Sequence, residues 1–197
     1  MKQILIDTKE KADEFLKNPR RTVGILSFGA EVTISDELKT PELEELAMAA
    51  GIKNRNKRIA YIYDTACRQI DRYNEENGIT CVFNENRCPD CRHNWHINGC
   101  CFHCPHQSTS GCTISNLSCR LYFCDYMIEH FKPLKLEDMA ILRLLTPSQR
   151  AIIREDVFTK REISIGLLCI GSYLVFGAYS FIKILRMKNL FVKNRKN

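Results

Sequence analysis

The stretch CPDCRHNWHINGCCFHCPHQSTSGCTISNLSCRLYFC, residues 88–124, holds eight of the 11 cysteines of the 197-residue chain. His93, His96, His103 and His106 lie within it, and His130 follows it. Thiolate and imidazole are the side chains that hold zinc and similar metals. The stretch has no long periodic apolar run, and its Pro, Gly, Asn and Ser residues favour turns. We therefore expect a bound metal to cross-link loops that cannot bury enough apolar surface alone.

Two C-x-x-C pairs carry most of this signal. They are Cys88-Pro-Asp-Cys91 and Cys101-Phe-His-Cys104, and such a turn places two thiolates on one ion. Eight thiols suffice for two four-coordinate sites, and we assign none of the histidines as a ligand. The predicted metal ligands are Cys88, Cys91, Cys100, Cys101, Cys104, Cys112, Cys119 and Cys124.

The identity of the metal stays open at this point. The paired turns favour zinc, and His103 and His106 lie nearby as substitute ligands or as hydrogen-bonding partners of the sulfurs. A cysteine that precedes a proline, Cys104-Pro105, suggests an iron–sulfur cluster as the alternative. The bacterial ferredoxin run would need another closely spaced cysteine, which this sequence lacks. Reduced thiols without a bound metal are the third interpretation.

The start of the chain bears on the redox state of these cysteines. Only a short apolar run, at Gln3–Ile6, precedes Asp7 and Lys9, whereas a secretory signal has a longer apolar core and a small-residue cleavage site. In most proteins that are not exported, the cysteines stay reduced. We therefore expect metal ligation rather than a framework of disulfides.

The segments Gly99-Cys100-Cys101, Cys104-Pro105-His106, Gly111-Cys112 and Cys119-Arg120-Leu121-Tyr122-Phe123-Cys124 resemble the CxxCxxCC family of zinc- or iron-chelating domains. The likeness covers about residues 88–124, and eight residues rather than two separate Cys91 from Cys100. The resemblance implies that the eight cysteines chelate metal. It implies no particular reaction.

The sequence as a whole predicts an α+β fold. It comprises a mixed α/β region (1–86), the metal-stapled cysteine-rich module (87–132), a helical stalk (133–162), a transmembrane helix (163–185) and a basic tail (186–197). The predicted elements are strands at Gln3–Ile6, Thr22–Phe28 and Ile79–Phe83, a helix capped by Asp7, and helices at Pro41–Gly51, Arg55–Asn77, from Cys119 to Phe131, and Leu134–Leu145.

The C-terminal third predicts one long helix from Pro147 to about Lys188. Within it, Ile163–Ile182 carries no charged residue, and about 20 such residues span a bilayer core. We therefore expect a single-pass membrane protein with its N-terminal domain in the cytoplasm, although the basic tail after Lys183 leans toward the opposite orientation. Small residues on one stripe of the span suggest weak homodimerisation.

Three function classes compete. A scaffold or binding module for an unidentified protein partner is favoured, because the chain has no Gly-rich phosphate loop, nucleophile elbow or His-Glu-x-x-His motif. An iron–sulfur redox or group-transfer enzyme is the alternative. Nucleic-acid binding by a zinc ribbon, with phosphate contacts from Asn54–Arg58, is the least favoured, and the net charge of +6 does not decide it.

Overall fold

The computed structural model describes residues 2–24, 29–79, 107–108, 111–112, 116–123, 128–129 and 131–194, with only the backbone described at 107–108, at 111–112 and after residue 185. These residues are mostly helical and contain few strands. The expected α+β class is therefore wrong for the described part of the chain. The strands form two small two-stranded sheets, and helices surround the apolar core.

The N-terminal region begins with strand β1 (Gln3–Ile6), which pairs in parallel with β2 (Glu31–Ile34), so that Ile6 lies beside Ile34. Helices α1 (Lys9–Lys17) and α2 (Pro19–Val23) connect the two strands. The predictions of β1 and of a first helix are confirmed, although Thr8 rather than Asp7 caps α1. The predicted strand Thr22–Phe28 is wrong at Thr22 and Val23, which end α2, and residues 25–28 lie outside the described part.

A short 3-10 helix (Asp36–Leu38) precedes α3 (Pro41–Gly51), and α4 (Arg55–Glu76) follows. Both long helices match their predictions closely, because each has a side-chain N-cap, from Thr40 and Asn54 respectively. Ile59, Ile62, Ala66 and Ile70 of α4 recur every three or four residues and are all buried. This face packs against the other helices and makes α4 the centre of the fold.

The middle of the chain departs further from expectation. Strands β3 (Gln107–Ser108) and β4 (Gly111–Cys112) form a small antiparallel hairpin, and α5 (Leu117–Arg120) is one short turn. The predicted helix from Cys119 to Phe131 is interrupted after Arg120, since residues 121–123 are not helical, whereas Ile128 and Glu129 are helical as predicted and residues 124–127 lie outside the described part. Ile79 is not in a strand, and the remainder of Ile79–Phe83 lies outside the described part. The predicted helix Leu134–Leu145 is a 3-10 helix at Ala140–Leu144.

The C-terminal third forms three helices instead of the single long one predicted. They are α6 (Pro147–Glu155), α7 (Arg161–Ile170) and α8 (Tyr173–Asn194). The chain leaves α6 at the buried Asp156, and it turns between α7 and α8 at Gly171, whose φ of 67° is left-handed. Such a residue ends a helix, and glycine adopts that conformation without a steric penalty.

Side chains of α6 hold the turn at Gly171 in place. The Ser148 hydroxyl donates to the Gly171 carbonyl at 2.8 Å, and the buried Gln149 amide donates to the Leu168 carbonyl at 2.7 Å. Gln149 also closes a capping box with Thr146. The last carbonyls of α7 thus find partners outside their own helix, which makes the break stable.

Among the residues that the structure describes, no helix combines the length and the apolar content needed to cross a membrane. Helix α7 has ten residues and is about 15 Å long at 1.5 Å per residue, half of a typical hydrocarbon core of roughly 30 Å. It buries Leu167 and Leu168 in the protein core. The predicted transmembrane helix (163–185), and the single-pass membrane localisation drawn from it, are therefore wrong.

Candidate functional site

Of the eight predicted metal ligands, Cys119 is the one whose side chain the structure describes. Cys112 is described by its backbone in β4, while Cys88, Cys91, Cys100, Cys101, Cys104 and Cys124 lie outside the described residues. Within the described part of the chain, no group of three or more His, Cys, Asp or Glu residues is placed to hold a metal ion. A complete metal site is thus not confirmed, and the cysteine-rich site stays a prediction.

Cys119 sits on α5 and belongs to a group of polar side chains that we call the Cys119 cluster. Its members come from α5, from the turn after α6, from α7 and from α8, and most are buried. The cluster consists of Asn116, Cys119, Asp156, Thr159, Ser164 and Lys183.

Asn116 is the hub of the cluster and is 1% exposed. Its Oδ1 accepts a hydrogen bond from the Cys119 backbone N–H at 2.8 Å and so caps α5. Its Nδ2 donates to the carbonyls of Asp156 at 2.6 Å and Thr159 at 3.0 Å. One amide side chain therefore fixes both the helix that carries Cys119 and the turn that faces it.

The turn at residues 156–159 supplies a direct contact to the cysteine sulfur. The Phe158 backbone N–H donates to Cys119 Sγ at 3.4 Å. Phe158 has a φ of 60°, the left-handed conformation that non-glycine residues adopt at an energetic cost. A backbone N–H that donates to a sulfur stabilises negative charge there.

The carboxylate of Asp156 is held by hydroxyl groups. Ser164 Oγ donates to Asp156 Oδ2 at 2.6 Å, and Thr159 Oγ1 donates to Oδ1 at 2.5 Å. Burial raises the pKa of Asp156, and the two hydroxyls and Lys183 partly offset that rise. The donors satisfy a charged group that is 2% exposed, as a buried carboxylate requires.

Lys183 of α8 reaches back into the same cluster. Its Nζ donates to the Val157 carbonyl at 2.8 Å and to Thr159 Oγ1 at 3.1 Å, and it lies 3.7 Å from Asp156 Oδ1. Burial lowers the pKa of Lys183, while the carboxylate of Asp156 raises it. Lys183 therefore pairs with Asp156 and fixes α8 to the turn at residues 156–159.

Tyr63 of α4 closes the cluster from the core side. Its hydroxyl accepts a hydrogen bond from the Leu117 backbone N–H at 2.9 Å. Burial raises the pKa of Tyr63 to about 12, so the phenol stays neutral at ordinary pH. Arg161, at the start of α7, forms a bidentate ion pair with Asp64 of α4 at 2.7 and 2.5 Å and fixes α7 against α4 nearby.

The other described cysteines have different surroundings. Cys67 and Cys169 are partly buried, and burial raises the pKa of both thiols. A raised pKa keeps a thiol protonated and unreactive. Neither residue was among the predicted ligands, and both serve as references for Cys119.

The basic segment predicted for nucleic-acid contact is partly committed elsewhere. Arg58 is 7% exposed, and its guanidinium donates to the carbonyl of Ile52 at 2.8 Å. This side chain therefore stabilises the turn before α4 and does not face a phosphate backbone. Arg55 and Lys57 remain exposed at the start of the helix.

Sequence reasoning missed the described residues that surround Cys119. Asn116 carried a usable signal, because an Asn three residues before the cysteine matches an N-cap. Asp156 and Lys183 lie 37 and 64 residues beyond Cys119 in the chain, and no motif joins them to it. No family model matches the chain, and searches of curated proteins and of solved structures find no match either.

Proposed function

We propose that this chain binds a metal ion through its cysteine-rich segment, with zinc favoured, and acts as a binding or scaffold module for another protein. The observation that carries the proposal is the hydrogen bond from the Phe158 N–H to Cys119 Sγ. Metal ligation needs a thiolate, and backbone N–H groups directed at sulfur favour that form. Cys119 is the predicted ligand for which this environment is described.

The ligand set of the proposal is the one indicated by the sequence. Two C-x-x-C turns supply four sulfurs, and the remaining cysteines supply the others. The likeness to the CxxCxxCC family supports the same set. The proposed ligands are Cys88, Cys91, Cys100, Cys101, Cys104, Cys112, Cys119 and Cys124.

A structural role for the metal agrees with the Cys119 cluster. Asp156, Thr159 and Ser164 are each no more than 2% exposed, so they are buried beneath the proposed site and do not contact a substrate. Their hydrogen bonds orient the turn that contacts the sulfur. Partners of this kind, outside the ligands themselves, position a metal ligand and strengthen its bond to the metal.

Elemental analysis of the full chain purified without oxygen tests the proposal. We expect stoichiometric zinc in the wild type, and less metal in the Cys119→Ser variant. Cys67→Ser is the matched control, because Cys67 is a partly buried thiol outside the proposed ligand set. It should retain the full metal content.

Three outcomes would contradict or revise the proposal. A wild-type protein without metal, or with its thiols joined in pairs as disulfides, would refute it. Equal metal loss in Cys119→Ser and Cys67→Ser would show that the loss follows general destabilisation and would remove Cys119 from the ligand set. A brown protein with iron and labile sulfide would establish the iron–sulfur alternative and refute zinc.

A further inference from the structure

We propose that a groove beside helix α4 docks a segment of a partner protein in which a basic residue neighbours aromatic or aliphatic residues. The groove consists of two adjoining cavities, which we call the acidic cavity and the apolar cavity. This inference rests on the protein-binding part of the proposed function and deepens it by naming the chemistry of the partner. Neither a cysteine nor a metal takes part in it.

The acidic cavity has a volume of about 300 Å³ and lies beside α3 and α4. Among its described lining residues, four carry carboxylates, and the guanidinium of Arg72 opposes them. The four are Glu42, Glu45, Glu76 and Asp138. Carboxylates that outnumber the basic groups give the cavity a negative potential, which attracts a cation.

The charge of this cavity is only partly balanced within the protein. The two carboxylate oxygens of Glu45 accept hydrogen bonds, from Gln69 Nε2 at 2.6 Å and from Arg72 Nη2 at 3.1 Å. Glu42 and Glu76 are exposed, and neither forms an ion pair in the part of the chain that the structure describes. These two carboxylates are therefore available to a partner.

A basic side chain fits the acidic cavity better than an inorganic cation does. The carboxylates do not converge on one point, because no three acidic, histidine or cysteine side chains of the described residues are placed to share a metal ion. Leu134 and Met139, which is 1% exposed, line the same cavity. Lysine and arginine suit this combination, since their aliphatic stems pack on apolar surface while their charged ends meet carboxylates.

The apolar cavity adjoins the acidic one, because Tyr73, Leu134 and Asp138 line both. Its volume of about 730 Å³ lies within the usual range for a binding pocket. Tyr122 and Ile128 in its wall are 57% and 55% exposed, so their apolar surface is open to a partner. The aromatic and aliphatic residues that line this cavity alone include Leu121, Tyr122, Phe123, Ile128, Phe131 and Pro133.

Hydrogen bonds fix the wall that the two cavities share. The Tyr73 hydroxyl donates to the Lys132 carbonyl at 2.8 Å, and the Lys135 backbone N–H donates to Asp138 Oδ2 at 3.0 Å. A preformed groove loses little conformational entropy on binding.

The charges of the groove also give the partner a direction. Lys132 and Lys135 are exposed and line the apolar cavity, so they repel a cation there and direct it to the acidic cavity. Neighbouring pockets of different chemistry accept successive side chains of one peptide. A segment that combines basic and apolar residues therefore matches the groove in both shape and charge.

An array of short random peptides, probed with the full-length protein, tests the inference. We expect the binders to place Lys or Arg beside aromatic or aliphatic residues. With the strongest binder, titrated by fluorescence anisotropy, Glu76→Gln should weaken binding about 3-fold, and Glu42→Gln together with Glu76→Gln about 10-fold. Glu75→Gln is the matched control, because Glu75 is the adjacent exposed residue of α4 and lines neither cavity.

The apolar cavity has its own variant and control. Ile128→Ser should weaken binding of the same peptide about 10-fold, whereas Ile163→Ser should not, because Ile163 is 43% exposed and lines neither cavity. Replacing the basic residue of the peptide by Gln should abolish the effect of Glu76→Gln, which a purely structural role of Glu76 would not do. Circular dichroism of each variant checks that the fold is retained.

The outcomes separate this inference from the proposed metal binding. Absence of peptide binding, binders without a basic residue, or equal losses in Glu75→Gln and Glu76→Gln would refute the inference. A dimer that Ile128→Ser dissociates, with no peptide bound, would assign the groove to a second copy and refute it equally. Metal analysis of the same preparation completes the comparison: zinc-loaded protein without peptide binding refutes the groove alone, and peptide binding without zinc supports the groove and refutes the metal.

Discussion

Replacing Asn116 is the sharpest test of the structure, because its side chain makes three hydrogen bonds of two kinds. Oδ1 accepts from the Cys119 N–H and caps α5, while Nδ2 donates to the carbonyls of Asp156 and Thr159. Loss of an N-cap costs about 1 kcal/mol, and each buried hydrogen bond contributes about 1 kcal/mol more. We therefore expect Asn116→Ala to lower the free energy of unfolding by about 3 kcal/mol.

The order of three substitutions follows from the same geometry. Asn116→Ser keeps an acceptor for the cap and loses both donors, so it should cost about 2 kcal/mol. Asn116→Asp also keeps the cap, yet it places a carboxylate oxygen where Nδ2 lies 2.6 and 3.0 Å from two carbonyl oxygens. Burial of that charge against two acceptors should make Asp the most destabilising of the three.

Chemical denaturation of full-length protein in the presence of a chelator measures these differences without a contribution from metal binding. Asn54 is the control, because it caps α4 through Oδ1, at 3.0 Å from the Lys57 N, and is exposed. Asn54→Asp should be neutral or slightly stabilising at a helix N-terminus. If Asn116→Asp proves as stable as wild type, the assignment of Nδ2 as a donor to the turn is wrong.

Three further predictions concern the backbone and the surface. Gly171→Ala should lower the free energy of unfolding by about 1–2 kcal/mol, because φ is 67° at this residue. Gly177 lies inside α8 with open space around an added methyl group, so Gly177→Ala should be neutral or stabilising by up to about 1 kcal/mol. Equal effects of the two substitutions on thermal unfolding would refute the helix break at Gly171. Phe158→Val should be clearly less stable than Phe158→Gly, since a β-branched residue tolerates the left-handed conformation poorly; the reverse order in denaturation would contradict the geometry. The hydrogen bond from Arg154 holds the pKa of Glu137 below its ordinary value. The stabilisation that this contact gives the fold is therefore present above pH 4.5 and is lost as the pH falls through the lowered pKa. Glu137→Gln should flatten that part of the stability–pH curve, and an unchanged curve would exclude the contact.

Local sequence signals were sufficient for the elements that carry their own caps. Thr40 followed by Pro41 marks the start of α3, and the spacing of Ile59, Ile62 and Ile70 marks the buried face of α4. These signals act within one or two helical turns. They do not depend on the rest of the fold, so the two helices were predicted almost to the residue.

The C-terminal helices show where hydropathy misleads. Ile163–Ile182 is uniformly uncharged, but Gly171-Ser172 combines a helix stop with a following N-cap, since Ser172 Oγ accepts from the Val175 N–H at 3.4 Å. Averaging the hydropathy over a long apolar run hides these two signals. The break at Asp156 depends on partners in α5, α7 and α8, which no local pattern reveals.

The candidate site was half visible in the sequence. Cysteine spacing identified Cys119, because metal ligands cluster in the chain. The Phe158 N–H that contacts its sulfur belongs to a turn 39 residues further along the chain, and Lys183 bonds to the same turn from a distant helix. Such contacts arise from tertiary structure, and a single sequence offers no means of pairing them.

The bonds from Asn116 to the turn after α6 make the distal end of the chain part of the central fold. A protein cut after Glu155 would leave two buried amide hydrogens of Asn116 without their acceptors, the carbonyls of Asp156 and Thr159. Limited proteolysis should therefore find few cleavage sites between residues 156 and 170. A protein truncated before residue 156 should give a lower yield of folded material.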